Sequence, residues 1–326
     1  MKSPRTAAVL VAGSANLDFV VRASHVPTAG ETVLGRDFAT YPGGKGANQA
    51  VACARAGGVA TTMLLALGAD EPAAVLERSL HDSNVTAIVR RVADRATGVA
   101  FICLGDDADN AISVAPGANE ALAASDLPPL DSFGTLLLQL ETPVETVAAY
   151  ATAASGAGLS VVLNAAPAQD LPTALLAALD VLIVNEGELA TLAGDQGSLS
   201  RTLDGLRIPC VVVTLGARGC CALEDGRFTL QPAFVIDALD TTAAGDTFCG
   251  AFVAARGKRA GLPEALRRAS AAAALACTRL GAQSSIPTRE EVDAFLESDP
   301  REAASHAELA DYCGLPPDPS SLPTAP

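Results

Sequence analysis

Short apolar runs alternate with longer alanine- and leucine-rich stretches through the second half of the chain. Each run has the length of a β-strand and stops at a polar residue; the runs are Leu136–Leu140, Leu159–Leu163, Val181–Val184 and Cys210–Val213. The stretches between them, such as Val144–Ala154 and Leu171–Leu179, have the apolar spacing of helices. Strands that alternate with helices predict βαβ units and a parallel sheet.

The polar residues that follow these runs predict a binding site. Parallel sheets bind ligands at the carboxyl ends of their strands, so we expect Glu141, Asn185 and Thr214 along one edge of the sheet. Any one of them could simply end a strand or cap the next helix. Several polar residues aligned at one edge favour a site.

Two segments nearer the N-terminus have shorter apolar groups separated by turn residues. In residues 17–40 the strand-forming positions are Val20, Val21, Thr32, Val33, Leu34 and Phe38. In residues 98–116, Val99–Leu104 and Ala111–Ala115 are joined by Gly105-Asp106-Asp107. These strands predict a small sheet apart from the main one. We expect it to act as a lid, because closing a lid excludes water from a reaction.

The composition supports a folded α/β protein and limits its partners. Of the 326 residues, 49% are hydrophobic and 18% are charged, which is ample for a buried core. The net charge is −15 and no block of lysine or arginine occurs, so a nucleic-acid-binding surface is not expected. An anionic ligand would have to be held by backbone N–H groups, helix N-termini and metal ions.

Location and domain organisation follow from the same features. No apolar run reaches the ~18 residues typical of a membrane span, and the N-terminus lacks a signal-peptide pattern. The eight cysteines are scattered without a Cys-x-x-Cys pair, which is typical of reduced thiols in a cytoplasmic protein. We expect one domain over residues 1–297 and a proline-rich appendage over 298–326, with one helical piece at Arg301–Tyr312.

A glycine-rich motif has the sequence Pro42-Gly43-Gly44-Lys45-Gly46-Ala47-Asn48-Gln49-Ala50. Its glycines allow a sharp turn and a close approach to a ligand, and a helix over Ala47–Ala56 would direct N–H groups at a polar or anionic group. Gly46 follows Lys45 where a Walker loop needs serine or threonine, and the spacing of a dinucleotide fingerprint is absent. A plain loop-to-helix turn is the alternative.

A second motif, Asp240-Thr241-Thr242-Ala243-Ala244-Gly245-Asp246-Thr247-Phe248, predicts the start of a helix that runs through Phe252. Its small residues leave the first N–H groups free, and these groups with the helix dipole form an anion hole. Such a hole would stabilise the charge that develops during phosphoryl transfer. Asp246 at its mouth could accept a proton from an attacking hydroxyl, or it could be an ordinary N-cap.

Two further motifs follow predicted strands. In Asn185-Glu186-Gly187-Glu188, Glu188 could position Mg²⁺ through water, or it could be an acidic residue at a helix start. Thr214-Leu215-Gly216-Ala217-Arg218-Gly219 could lie against a nucleotide or form only a tight turn. We expect the three histidines at the surface, because they have no metal-ligand spacing: His25, His81 and His306.

The two long motifs, in this order, resemble the PfkB family of carbohydrate kinases, and within it the ribokinases. The resemblance extends over about residues 7–295 and includes Gly13-Ser14-Ala15-Asn16-Leu17-Asp18, Pro27-Thr28-Ala29-Gly30-Glu31-Thr32-Val33, Gln139-Leu140-Glu141, Asn185-x-x-Glu188 and Gly281-Ala282-Gln283-Ser284-Ser285. It implies an α/β, ribokinase-like three-layer α/β/α fold with a mostly parallel central sheet and a small β-sheet lid. It also implies ATP-dependent phosphorylation of D-ribose at the 5-hydroxyl, and a homodimer formed through the lids.

The resemblance also implies a role for each matching residue. The sugar would be bound by Ser14, Ala15, Asn16, Asp18, Gly43, Gly44, Lys45, Gly46, Asn48 and Glu141, with Asp246 as the base. N–H groups of Ala243, Ala244 and Gly245 would hold the transition-state charge. ATP would contact Asn185, Thr214, Leu215, Gly216, Ala217, Arg218, Gly219, Gly245 and Ser270. Glu188 would position Mg²⁺, and K⁺ would be held by Asp240, Ser285 and the carbonyls of Thr242, Ala276, Arg279 and Gly281.

Some positions and choices depart from that pattern or stay open. Gly68-Ala69-Asp70-Glu71-Pro72 stands where the family often has Gly-Asp-Asp followed by glycine, and the tail after Ser298 lies outside the family core. Deoxyribose, another sugar or a nucleoside is the alternative substrate, because a few contacts decide sugar choice; Asn16 favours a hydroxyl-rich sugar. A non-catalytic sugar- or nucleotide-binding relative is a second class, disfavoured by the intact Asp246. The missing fingerprint disfavours a dehydrogenase.

Overall fold

The structure, a computed structural model, describes residues 6–106, 110–194 and 197–316. Over these ranges the strands are β1 (Val9–Ala12), β2 (Asn16–Arg22), β3 (Asp37–Gly43), β4 (Thr61–Leu67), β5 (Val85–Arg91), β6 (Gly98–Leu104), β7 (Asn110–Ala115), β8 (Thr135–Leu138), β9 (Ser160–Asn164), β10 (Val181–Asn185), β11 (Cys210–Thr214), β12 (Gly219–Glu224) and β13 (Arg227–Pro232). The helices are α1 (Lys45–Arg55), α2 (Glu71–Asp82), α3 (Val144–Gly156), α4 (Thr173–Ala178), α5 (Glu186–Ala193), α6 (Leu199–Gly205), α7 (Ala244–Gly257), α8 (Leu262–Cys277), α9 (Arg289–Glu297) and α10 (His306–Cys313). Short 3₁₀ helices lie at Gly117–Ala121, Ala124–Asp126 and Gly216–Arg218.

In the described part of the chain, nine strands form a central sheet in the order β13-β12-β11-β10-β9-β8-β1-β4-β5. Every pair from β5 to β11 is parallel, and β12 is antiparallel to both of its neighbours. The apolar runs of the second half all lie in this sheet, because strands covered on both faces need apolar side chains on both. The predicted parallel sheet is confirmed.

Helices cover both faces of the central sheet. The residues of β1 show how the faces divide: Val9 and Val11 pack towards α1, α2, α7 and α8, whereas Leu10 and Ala12 pack towards α3, α4, α6 and α10. Successive side chains of a strand point to opposite faces, so one strand contributes to two apolar cores. The expected three-layer α/β/α fold is therefore confirmed.

A smaller four-stranded sheet, in the order β3-β2-β6-β7, lies apart from the central sheet within the described residues. β2 and β6 are parallel, and the other two pairs are antiparallel. The prediction of strand structure was wrong at three positions in the loop between β2 and β3, namely Thr32, Val33 and Leu34. β2 pairs with β3 from Arg22 opposite Asp37, so the residues between them have no partner strand. Asp107, in the predicted turn after β6, lies outside the described residues.

Two element ends differ from the prediction for local reasons. β8 ends at Leu138 rather than Leu140, because the Leu140 N–H donates to the Ala166 carbonyl at 3.0 Å, outside the ladder. α7 continues past Phe252 to Gly257, and most of its residues are buried. Burial against α1 and α8 thus supports the helix in spite of its internal glycines, which have low helix propensity.

The predicted appendage packs onto the domain over the part that the structure describes. Its helix α10 begins after Ser305, which forms a capping box with Glu308, rather than at Arg301. Leu309 and Cys313 are buried in the apolar core on the α3 side of the sheet. The boundary between domain and appendage at residue 297 stays a prediction, but residues up to 316 lie against the core.

Three further expectations concern a membrane span, the cysteines and the histidines. Within the described ranges, no helix combines the length and the apolar character needed to cross a membrane. All eight cysteines are free thiols, six buried and two partly buried. The histidines lie near the surface beside carboxylates, at Glu31, Asp82 and Glu302.

Candidate active site

The glycine-rich turn between β3 and α1 packs directly against the start of β2. Gly44 has a φ of +87°, and a Cβ added there would lie 2.7 Å from the Ala15 Cα. A Cβ added at Gly43 would lie 2.1 Å from Asp18 Oδ2. Both positions therefore need glycine, and their packing brings the first turn of α1 against the residues that the resemblance assigns to the sugar.

Glu141, after β8, joins this turn to the loop between β1 and β2. Its Oε2 accepts hydrogen bonds from Ser14 Oγ at 2.6 Å and from the Lys45 N–H at 3.0 Å. The Gly46 N–H donates to Ser14 Oγ at 3.3 Å. One carboxylate thus satisfies an orphan donor at the N-terminus of α1, where negative charge is favourable.

Three carboxylates face one another across the cleft. Burial raises the pKa of Asp18 to about 7, and the charges of Glu141 and Asp246 act in the same direction. The charge of Asp246 also raises the pKa of Lys45, against the opposing effect of burial. The cluster therefore holds one firmly charged ammonium and a carboxyl that titrates near neutrality, a combination that can both donate to and accept from hydroxyl groups.

Asn119 belongs to this site although the sequence did not single it out. Its Nδ2 donates to Asn16 Oδ1 at 2.8 Å, and its Oδ1 accepts from the Ala15 N–H at 3.1 Å. A Cβ added at Gly98 would meet both amides, at 2.3 Å and 2.4 Å. Asn119 thus fixes the amide orientation of Asn16, over a separation in sequence that no local pattern reveals.

Asp246 lies in the first turn of α7 with both carboxylate oxygens held. Asn48 Nδ2 donates to Oδ2 and Gln49 Nε2 donates to Oδ1, each at 2.9 Å. The N-cap of α7 is Ala243, with a left-handed φ of 58° and no side-chain cap. Asp246 is therefore not the N-cap, and its buried carboxylate is oriented by two amides of α1.

A chain of buried amides supports that orientation. Gln139 Nε2 donates to Gln49 Oε1 at 2.7 Å, and Gln49 Nε2 donates to Asn164 Oδ1 at 2.9 Å as well as to Asp246. Asn164 Nδ2 in turn donates to the Ile183 carbonyl at 3.1 Å. The ends of β8, β9 and β10 are thus linked to Asp246 through one glutamine, to which the sequence motif assigned no role.

The N–H groups that are expected to form an anion hole differ in their hydrogen bonding. The Ala244 N–H donates to the Thr241 carbonyl at 3.2 Å. Within the described residues, the N–H groups of Ala243 and Gly245 donate no hydrogen bond. A non-glycine residue at a left-handed φ, as at Ala243, is typical of functional sites that store strain. An anion would therefore meet Ala243 and Gly245 first.

Two adjoining cavities extend from Asp246 along the carboxyl edge of the sheet. The first, of about 240 Å³, is lined by Lys45, Asn185, Glu188 and Asp246 among others. The second, of about 480 Å³, adjoins it through Thr214, Thr241 and Gly245. Its lining includes most of the residues expected to contact ATP, namely Thr214, Gly216, Ala217, Gly219, Gly245 and Ser270.

The remaining expected ATP contacts have other surroundings. The Leu215 side chain is buried in the apolar core. The Arg218 guanidinium stacks over the Tyr312 ring, 4.2 Å from its centroid, and lies 3.7 Å from Glu186.

Cys249 lines the smaller cavity, where burial raises the pKa of its thiol well above the ordinary value. A thiolate nucleophile is therefore not available at this position.

Glu188 serves the helix start and also borders the site. Its Oε2 accepts from the Asn185 N–H and its own N–H donates to Asn185 Oδ1, both at 2.8 Å, which completes a capping box for α5. Burial, together with the charge of Asp246, raises the pKa of Glu188 overall, although the hydrogen bond from Asn185 and the charge of Lys45 act in the opposite direction. The two interpretations of this residue are therefore compatible, because Oε1 is not part of the cap.

Asp240 ties the loop before α7 to the loop after α8. Its Oδ1 accepts from the Thr242 N–H at 2.9 Å and from Thr242 Oγ1 at 2.6 Å, and its Oδ2 accepts from the Gly281 N–H at 2.9 Å. Burial raises the pKa of Asp240, but these hydrogen bonds outweigh it and lower the pKa overall. The buried Ser285 hydroxyl bonds the Ala282 carbonyl at 2.8 Å.

The oxygen atoms of these two loops include the ligands that the resemblance implies for a monovalent cation. Among the described residues, no group of three histidine, cysteine or acidic side chains could hold a metal ion. The expected donors are instead one carboxylate, one hydroxyl and the carbonyls of Thr242, Ala276, Arg279 and Gly281. The hydrogen bond from Gly281 to Asp240 brings the two loops together, and carbonyl oxygens are the ligands that K⁺ takes in proteins.

The chain is similar to known carbohydrate kinases over most of its length. The pfkB family carbohydrate kinase model matches residues 6–289. The ribokinase of Haemophilus influenzae is 38% identical over 299 residues, covering 88% of this chain and 97% of that protein. The crystal structure of ribokinase from Thermotoga maritima has a TM-score of 0.82 at 35% identity, covering 89% of this chain and 99% of that one.

A further similar structure contains bound ligands. The structure of Arabidopsis thaliana ribokinase complexed with ribose and ATP has a TM-score of 0.81 at 33% identity, covering 90% of this chain and 99% of that chain. The resemblance inferred from the two motifs is thus confirmed over nearly all of each relative. Since the family match takes in far more than half of the sequence, the chain belongs to the PfkB family of carbohydrate kinases.

Proposed function

We propose that this protein is an ATP-dependent ribokinase, which phosphorylates D-ribose at its 5-hydroxyl to give D-ribose 5-phosphate and ADP. The observation that carries the proposal is the position of Asp246. Its carboxylate is held by Asn48 and Gln49, residues of the glycine-rich motif, and it also lines the cavity that adjoins the nucleotide side. A sugar beside Glu141 and Asp18 would therefore meet the phosphate at Asp246.

In the proposed reaction Asp246 is the general base. It accepts the proton of the 5-hydroxyl while that oxygen attacks the γ-phosphorus of ATP. The bond from this phosphorus to the bridging oxygen breaks, and ADP leaves with the electron pair. The N–H groups of Ala243 and Gly245, the dipole of α7 and the Lys45 ammonium would stabilise the charge on the transferred group. Asn48 and Gln49 keep the carboxylate oriented towards the hydroxyl.

Two cations complete the proposal. When bound, Mg²⁺ would neutralise charge on the phosphates, and Glu188 would position it through water beside the smaller cavity. K⁺ would be held by Asp240, Ser285 and the neighbouring carbonyls, and there it would fix the shape of the loop that ends at Ala243. The support is the oxygen-rich donor set and the tie between Asp240 and Gly281.

An exposed apolar face of the small sheet supports a homodimer formed through the lids, and the free thiols are compatible with the cytoplasmic location that we also propose. Phe19 stacks against Phe38 and Phe101, with ring centroids 6.1 Å and 5.4 Å apart. Phe101 is 56% exposed and Ile112 is 58% exposed. Apolar area of this kind is typical of an interface. Sedimentation of the wild type and of Phe101→Glu tests this homodimer. We expect a wild-type dimer that dissociates in the variant. A monomeric wild type would contradict the proposed dimer.

The activity is tested by ADP release from MgATP with a panel of sugars and nucleosides, with and without K⁺. Preference for D-ribose, with stimulation by K⁺ over choline at equal ionic strength, is the expected result. Preference for deoxyribose, another sugar or a nucleoside would replace the substrate and keep the mechanism. Binding of ribose and ATP without turnover would contradict the proposal and favour a non-catalytic relative.

A further inference from the structure

A C-terminal segment, residues 298–316, packs beside the nucleotide cavity although it lies beyond the family match. That match ends at residue 289, and the structure describes the chain as far as residue 316. The segment makes two separate contacts with the domain, one through an extended piece and one through α10. Both contacts involve elements of the proposed ATP site.

The extended piece adds a wall to the larger cavity. The Ala303 N–H donates to the Ala233 carbonyl at 2.7 Å, and the Val235 N–H donates to the Arg301 carbonyl at 2.9 Å. Glu302 lies between them, opposite Phe234 in an isolated antiparallel bridge. These contacts place Ala303 in the lining of the 480 Å³ cavity, together with Gly216, Ser270 and Gly245.

Glu302 holds the extended piece in this position. Its Oε1 accepts from Gln231 Nε2 at 3.0 Å and lies 3.6 Å from Arg267 Nη1. Its Oε2 lies 3.7 Å from His306 at the start of α10. Arg267 also lies over the Phe234 ring, 5.4 Å from its centroid. A half-buried carboxylate with three polar partners restrains the backbone on either side of it.

Helix α10 makes the second contact, through Tyr312. Its ring lies under the Arg218 guanidinium, and its hydroxyl donates to Glu186. Arg218 belongs to the 3₁₀ turn of the proposed ATP contact, and Glu186 is the first residue of α5, next to Asn185. Tyr312 therefore links two nucleotide-side elements that the Arg218–Glu186 pair, at 3.7 Å, also joins.

We propose that the C-terminal segment is part of the nucleotide-binding site. In this proposal Ala303 forms a wall of the 480 Å³ cavity, where the adenine would lie, and Tyr312 is a positioning residue for the turn that carries Arg218. The cavity wall is largely apolar, formed by Phe234, Val235, Ile236, Phe248, Ala273 and Ala274. Such a surface suits the face of a purine ring. Stacking on Tyr312 orders a flexible arginine before the ligand arrives, which lowers the cost of binding. The inference rests on the proposed ATP site.

Point variants test the segment, because its removal would also take the buried Leu309 and Cys313 out of the apolar core. Ala303→Leu fills part of the cavity, Tyr312→Ala removes both Tyr312 contacts, and Tyr312→Phe removes the hydroxyl alone. Asp311→Ala is the matched control, on an exposed position of the same helix. ADP affinity is measured by calorimetry without sugar, and the apparent KM for ATP and for ribose is measured in turnover.

We expect Ala303→Leu and Tyr312→Ala to weaken ADP binding and raise the KM for ATP by about tenfold, a change of ~1.4 kcal/mol. Tyr312→Phe should have a smaller effect, and the KM for ribose and the melting temperature should change little. Equal ADP affinity in all variants would overturn the inference and leave the proposed function intact. Weakened ADP binding in an enzyme inactive on ribose would support the inference and contradict the function. A wild type that does not bind ADP overturns both.

Discussion

Gln49 donates its side-chain amide to Asp246 at 2.9 Å, and this bond joins the glycine-rich helix to the helix that carries the proposed base. The same amide nitrogen donates to Asn164, and the Gln49 oxygen accepts from Gln139. Asp246 is thus oriented by α1 and, through Gln49, by the ends of β8 and β9. A carboxylate held this way loses little freedom when it takes a proton from the substrate.

Replacement of Gln49 by methionine, at similar volume, removes its three side-chain hydrogen bonds, with Asp246, Asn164 and Gln139. A hydrogen bond to a charged group contributes about 1.5–3 kcal/mol, so kcat should fall by about 10–100-fold. The KM for ribose and the affinity for ADP should change little, because Gln49 contacts neither the sugar loop nor the nucleotide cavity. Gln139→Met acts on Asp246 only through Gln49, so it should lower kcat by less than Gln49→Met does. An equal fall in kcat and in ADP affinity would instead indicate general damage to the fold.

The pH dependence of ribose use should contain the titration of Asp18. Its pKa is raised to about 7, and the ionised carboxylate is the better acceptor for sugar hydroxyls. We therefore expect kcat/KM for ribose to rise with pH and level off above about 7. Asp18→Asn should lower kcat/KM and remove this rise. An unchanged pH profile in the variant would exclude Asp18 as the titrating group.

The free energy of unfolding should fall with rising pH, whereas kcat/KM for ribose should rise. Folding raises the pKa of Asp18 from 3.8 to about 7, so between these values the folded protein holds a proton that the unfolded chain has released. The unfolded state binds fewer protons there, and the free energy of unfolding falls as pH rises through this window. Asp18→Asn should therefore be stabilising relative to the wild type at pH 8 and much less so at pH 4. Urea unfolding at both pH values measures the difference.

Gly43 should not tolerate a methyl group. A Cβ there would lie 2.1 Å from Asp18 Oδ2, so Gly43→Ala must displace the Asp18 carboxylate. We expect a rise in the KM for ribose of about tenfold or more, equivalent to ~1.4 kcal/mol, with ADP affinity retained. Gly156→Ala is the matched control, since its Cβ meets no atom within 4 Å. A wild-type KM in Gly43→Ala would place the sugar away from Asp18.

Stimulation by K⁺ should depend on Asp240. Asp240→Ala removes the proposed carboxylate ligand together with the tie to Gly281, so the ratio of rates in KCl and in choline chloride should fall towards one. Thr242→Val keeps the carboxylate and the Thr242 carbonyl while it removes one hydrogen bond to Asp240. It should keep most of the stimulation. Full K⁺ stimulation in Asp240→Ala would contradict the proposed cation site.

The sequence predicted the parts of the molecule that depend on local pattern. The runs that became β9, β10 and β11 were identified because buried parallel strands are continuously apolar. Loop residues 32–34 were misassigned, since their strand propensity has no partner strand to satisfy it. Asn119 and Gln49 contact the site across more than a hundred residues of chain, and no periodicity encodes such contacts. The packing of residues 298–316 depends likewise on tertiary contacts.

The central claim is that Asp246 is the base, and Asp246→Asn tests it most directly. The variant should fold, because Asn48 Oδ1 has no partner in the described part of the chain and a flipped Asn48 amide could accept from the introduced amide group. We expect ribose and ADP binding to persist while kcat falls by about 10²–10⁴-fold, the usual contribution of a general base. Near-normal turnover in a folded Asp246→Asn enzyme would contradict the account.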